Sequence, residues 1–181
     1  EATVQRLAEA QEALKAAGAI VRWVSPGNMH LTVKFLGPVE DQQLPDVCRA
    51  AEEIAGKVAP FEFAATALTS VPPAGQMRMV WCGIDEPTGR LAEMAELAEL
   101  AYAEIGFKPE IRQFQPHLTL GRVKSGRNVP QLRQAVAAFA DSGFGAQRAE
   151  EFIVFGSELG RGGPTYTPLA TAALKGQDFL E

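Results

Sequence analysis

The chain has 181 residues, 46% of them hydrophobic and 22% charged. That composition fits one ordinary globular domain, or two small lobes sharing a core, and is too apolar for a disordered chain. Its apolar runs are short, so no segment is expected to span a bilayer, and no basic leader with an apolar stretch marks a secretory signal. A net charge of −5 argues against a general nucleic-acid binder. Cys48 and Cys82 lie far apart and outside any Cys-x-x-Cys motif, which predicts free thiols of a reducing cytoplasm and no structural zinc site. The sequence opens at Glu1 directly with helix-forming residues, and a preceding native segment is expected.

In chain order, residues 2–17 predict an amphipathic helix, with Val4, Leu7, Ala8 and Leu14 at helical spacing and Gly18 as its stop. A short strand at 20–24 and a turn at Ser25-Pro26-Gly27-Asn28 precede a predicted strand at 30–36, which ends at Gly37-Pro38. A helix is expected over 41–57 with Pro45 in its first turn, then a strand at 61–70, a loop at 72–75 and a buried strand at 79–84. Residues 88–105 read as the clearest helix, 107–115 as irregular, 117–123 as a strand and 129–139 as a helix. A strand at 150–155, a glycine-rich loop at 160–164 and a strand over 166–172 complete the chain. The rhythm of helix, strands, helix, strands occurs twice. It predicts an α+β fold in one domain of two similar lobes, roughly the first half with His30 and the second with His117, each giving one histidine-bearing strand to a shared cleft.

The charge is unevenly spread. Residues 111–140 hold Arg112, Arg122, Lys124, Arg127 and Arg133, and residues 20–39 hold Arg22 and Lys34, with no Asp or Glu in either window. Each window contains one of the chain's two histidines. A basic surface around a site on an acidic protein suits a small anion or a nucleic-acid end. The two histidines share a context: Met29-His30-Leu31-Thr32-Val33 and Pro116-His117-Leu118-Thr119-Leu120. Ordinary residue usage makes that doubled coincidence rare, on the order of one in 10⁴.

The spacing has a physical meaning. Along a strand, side chains alternate, so His30 shares a face with Thr32, and His117 with Thr119, while the intervening leucines turn to the core. Two imidazoles are the minimal kit for acid–base chemistry near neutral pH, and the two hydroxyls can donate to phosphate oxygens. No metal and no other cofactor is needed, and no P-loop is present to bind ATP.

The paired His-x-Thr-x motifs resemble the two-histidine phosphoesterases. The flanks, residues 21–37 through Lys34-Phe35-Leu36-Gly37 and residues 116–122 through Gly121-Arg122, look like the two signatures of the RNA 2′,3′-cyclic phosphodiesterases, also called 2′-5′ RNA ligases. Ser157-Glu158-Leu159 and Gly163-Pro164-Thr165-Tyr166 resemble the family's closing strands. One departure is that family members begin with a strand before the first helix. The resemblance implies a bilobed fold of two antiparallel sheets forming a central cleft, with helices outside. It implies hydrolysis of RNA 2′,3′-cyclic phosphate ends to 2′-phosphates, and reversible ATP-independent 2′-5′ joining of tRNA-half-like ends. Of the two catalytic histidines, His30 is taken as the acid and His117 as the base. Thr32, Thr119, Arg122 and Lys34 are the phosphate-binding candidates; Arg122 needs a bulge near Gly121 to share the face of His117. Arg127 and Arg161 are loop candidates for the RNA backbone. Tyr166 and Phe35 are weighed for base stacking, with core packing favoured, and Trp23 and Trp81 are assigned to the core. The expected partner is RNA with a cyclic phosphate end, with no membrane, and a monomer is assumed. Alternatives are a phosphoesterase for small cyclic nucleotides and a non-catalytic RNA-end-binding protein.

Overall fold

The computed structural model describes residues 2–160 and 163–177, the side chain of Leu159 apart. Among these residues there are four α-helices and seven strands: α1 (Ala2–Lys15), β1 (Val21–Trp23), α2 (Leu44–Lys57), β2 (Phe61–Val71), β3 (Met79–Asp85), α3 (Arg90–Glu104), β4 (His117–Val123), α4 (Val129–Ala137), β5 (Gly145–Ala149), β6 (Glu151–Gly160) and β7 (Gly163–Ala173). Their contacts divide the chain into two compact units. The units are interleaved in sequence, because strand pairing, not chain order, decides which segments pack together. Unit 1 is Glu1–Thr32, Phe63–Asp85 and Pro116–Gln147; unit 2 is Val33–Glu62, Glu86–Gln115 and Arg148–Glu181. The packing therefore does not divide the chain into first and second halves, and His30 and His117 both belong to unit 1.

Unit 1 is a five-stranded sheet in the order β1-β4-β3-β2-β5, with antiparallel pairing along β1, β4, β3 and β2. Its core joins Leu7, Ala10 and Leu14 of α1 and Leu132 and Val136 of α4 to Leu68 of β2, Val80 and Cys82 of β3, and Leu118 and Leu120 of β4. Each fully buried leucine of this set contributes about 2 kcal/mol relative to exposure. Strand β5 has no counterpart in the sequence expectations: Gly145-Ala146-Gln147-Arg148-Ala149 lacks the β-branched and aromatic residues that mark a strand.

Unit 2 is the β6–β7 hairpin with α2 and α3. Helix α2 buries Val47, Ala50, Ala51, Ile54 and Ala55, and α3 buries Leu91, Met94, Ala95, Ala98 and Tyr102, at the helical spacing read from sequence. Gly176 lies against the end of α2, where a Cβ would sit 2.3 Å from the Lys57 carbonyl oxygen. Burial pushes the Tyr102 phenol up to about 12.

The predicted strand at 30–36 is largely absent. After β1 the chain turns through a single 3-10 turn (Pro26–Asn28) and rejoins the sheet only at Leu31, through one antiparallel bridge to Leu118. Phe35 is 84% exposed, so its expected place in the core is corrected: past Thr32 the chain leaves the sheet, and strand parity no longer governs its side chains.

Candidate active site

Strand β4 carries the second motif. Leu118 and Leu120 are buried, while His117 and Thr119 are half-buried on the opposite face. The register with β3 sets Gly83 against His117, Cys82 against Leu118 and Trp81 against Thr119. It then shifts: Val80 faces Gly121 and Met79 faces Arg122, which leaves Leu120 as an extra residue, a bulge. Met79 and Trp81 share a face, so the bulge returns Arg122 to the side of His117 and Thr119, where its Nη1 lies 3.5 Å from Met79 Sδ. Strict alternation would have sent Arg122 to the core.

Gly121 is required for this arrangement. A Cβ there would meet Val21 Cγ1 at 2.7 Å and the Trp23 ring at 2.8 Å, so only glycine lets β1 close on the bulged β4. Trp23 packs against the unit 1 core, as expected.

The first motif is held beside the second by the Leu31–Leu118 bridge. Leu31 packs against the core with Leu118, and His30 borders a cavity lined also by Thr3, Val4 and Leu7 of α1. The turn preceding it is pinned from below. Buried Gln11 donates from Nε2 to the carbonyls of Val24 and Leu120, both at 2.8 Å, where the chain departs from β1. His30 Nδ1 lies 2.8 Å from the Asn28 carbonyl oxygen. A carbonyl only accepts, so Nδ1 carries a hydrogen and donates it to Asn28.

His117 is positioned differently. Its ring stacks on Trp81 with centroids 3.6 Å apart and planes 15° from parallel. The residue directly opposite is Gly83, whose missing side chain leaves room for the imidazole to lean diagonally onto the indole. Trp81 is thus only half-buried, and its indole N–H is buried without a hydrogen-bond partner among the described residues. Sequence reasoning placed Trp81 in the core; the cue it lacked was the cross-strand register. Directly beneath this pair, burial pushes the Cys82 thiol up to about 12, and its S–H donates to the Thr66 carbonyl.

The remaining candidates separate. Lys34 belongs to unit 2, where its ammonium pairs with Glu99 at 2.7 Å and donates to the Lys108 carbonyl at 3.3 Å. Its side chain is 4% exposed, so the structure gives its charge to α3 and not to an open phosphate-binding surface. Glu99 also accepts from the Glu110 amide at 2.9 Å. Arg133 is spent on the carbonyls of Pro72, Pro73 and Gly75. Arg127 is exposed just before α4, and Tyr166 meets Phe155 edge-on at 6.0 Å within the β6–β7 hairpin. Arg161 lies outside the described residues.

A family described as LigT-like phosphoesterase matches residues 1–81 and 83–166. An RNA 2′,3′-cyclic phosphodiesterase of Methanothermobacter thermautotrophicus is 32% identical over 88% of this chain and 85% of that protein. One from Aeropyrum pernix is 29% identical over 92% and 93%. Among solved structures, a Thermus thermophilus protein superposes with a TM-score of 0.81 at 25% identity over 97% of this chain and 93% of the other. The Escherichia coli LigT complex with 3′-AMP superposes with a TM-score of 0.67 at 26% identity over 92% of both chains.

Proposed function

The chain belongs to the LigT-like phosphoesterase family, and from that premise we propose that it opens 2′,3′-cyclic phosphates at RNA ends to 2′-phosphates. The observation that supports this reading is the Leu31–Leu118 bridge, which brings the backbones of the two His-x-Thr motifs side by side. The relatives named above as RNA 2′,3′-cyclic phosphodiesterases support the substrate.

In the proposed step a water oxygen attacks phosphorus and the bond from phosphorus to O3′ breaks. His117 takes the water proton, and His30 delivers a proton from Nε2 to the departing O3′. The Nδ1–H bond to the Asn28 carbonyl suits His30 to this work, because it orients Nε2 away from the backbone. Thr32 and Thr119 donate to non-bridging oxygens, and Arg122 balances the charge of the pentacoordinate phosphorus. Lys34 takes no part. With an RNA 5′-hydroxyl in place of water, the same two proton transfers join ends through a 2′-5′ linkage, which is the ligation this reading includes.

The test uses a short RNA ending in a 2′,3′-cyclic phosphate, in excess chelator, with His30→Ala and His117→Ala in parallel. Conversion to a 2′-phosphate that both variants lose is the expected result. No turnover by the intact protein, or a 3′-phosphate product, overturns the proposal.

A further inference from the structure

The register between β1 and β4 sets Arg22 directly opposite Arg122. Residues directly opposite in an antiparallel pair share a face, and like charges there are destabilising. Val21, Trp23 and Val123 pack against the unit 1 core, so both arginines occupy the other face, that of His117 and Thr119. Both are exposed, and among the described residues no ion pair joins either to an Asp or Glu. The contact of Arg122 with Met79 Sδ supplies no charge. Two unneutralised guanidiniums side by side are a ready cradle for an anion.

Their position defines which anion. On β3 the partner of Arg122, Met79, lies two residues from Trp81, the partner of Thr119. Two strand residues span about 7 Å. A stacked nucleic-acid strand advances about 3.4 Å per nucleotide, and more when extended. The arginine pair therefore stands one to two nucleotides from the row of Thr119. We infer that Arg22 and Arg122 form a subsite for the phosphodiester next to the reacting phosphate, which makes the preferred substrate an oligonucleotide end and not a cyclic mononucleotide. This inference rests on the phosphodiesterase reading above. Arg22, on the edge strand, belongs to this subsite alone, whereas Arg122 reaches both phosphates.

The experiment compares kcat/KM for a dinucleotide ending in a 2′,3′-cyclic phosphate with that for the cyclic mononucleotide, within each preparation. A ratio taken this way is insensitive to the fraction of protein folded. The preference for the dinucleotide falls about tenfold in Arg22→Ala, and Arg22→Lys restores part of it. A second arm measures equilibrium binding of a dinucleotide 2′-phosphate against a nucleoside 2′-phosphate at several salt concentrations. The slope of log K against log salt for the dinucleotide loses about one in Arg22→Ala. An unchanged ratio and slope overturn the inference, as does equal loss on both ligands. Failure of the phosphodiesterase reading looks different: wild-type protein turns over neither substrate, while the binding arm still decides for or against the subsite.

Discussion

The two His-Leu-Thr motifs are nearly the same in sequence and are built differently. The second lies in a seven-residue strand paired on both sides, and its imidazole rests flat on Trp81. The first is held by one bridge at Leu31, a backbone carbonyl on its ring and a buried glutamine under its turn. One ring is fixed by a surface and the other by an edge. Stacking on Trp81 covers one face of the His117 ring. The Asn28 carbonyl accepts from Nδ1 of His30 and fixes the orientation of its ring. Two similar side chains are thus held by different means.

Removing the rings tests whether both ends of the comparison matter. His30→Ala and His117→Ala are each expected to lower kcat about 10³-fold, measured on the cyclic-phosphate RNA. A loss confined to one would show that the other motif only binds. The support of the first motif can be broken separately. Gln11→Leu removes the side-chain donor from the Val24 carbonyl and leaves the Leu120 carbonyl with the Val24 amide, at a cost of about 1–2 kcal/mol in denaturant unfolding. The support of the second is tested by Trp81→Leu. A stacked pair is worth about 0.5–1.5 kcal/mol, so kcat falls up to about tenfold with KM held, and Trp81→Phe recovers most of it. With only two histidines in the chain, the imidazole proton resonances assign themselves by deletion. The His117 signal is expected upfield under the indole ring current, and back at the position of a free imidazole in Trp81→Leu.

The smallest effect concerns the strand beneath that stack. Cys82 holds its proton up to about 12 in the folded state, above the ordinary thiol value. Between those two values the unfolded chain binds fewer protons than the folded one, so stability is full below the ordinary value and declines as pH rises toward 12. Cys82→Val should flatten that alkaline decline in unfolding curves taken from about pH 8 to 11. A decline of equal size in the variant would show that other groups cause it.

Much of this was legible in the sequence because it depends on local periodicity. The four helices, the strands at 61–71, 79–85 and 117–123, and the shared face of His117 and Thr119 all follow from spacing of 3.6 or 2. The antiparallel α+β class followed from the short turns between strands, and the two sheets from the family resemblance. What was illegible depends on distant partners. Lys34 reads as a cleft lysine until Glu99, 65 residues away, takes its charge. Phe35 reads as core by parity with Leu31, and parity lapses where the strand does. Trp81 and Arg22 look ordinary until the register sets them against Thr119 and Arg122. The bulge that re-aims Arg122 stood between: Gly121 hinted at it, and only the pairing with β3 located it.

The strand order has a temporal consequence. β4 sits between β1 and β3, yet it is made after both. Until about residue 123 has been synthesised, β1 has no neighbour to pair with and the Leu31 bridge has no partner. Such late, long-range closure is slow relative to local helix formation. The segment that joins β1 to β3 is also the one that carries His117, so the central pairing of the sheet and the arrival of its second imidazole coincide.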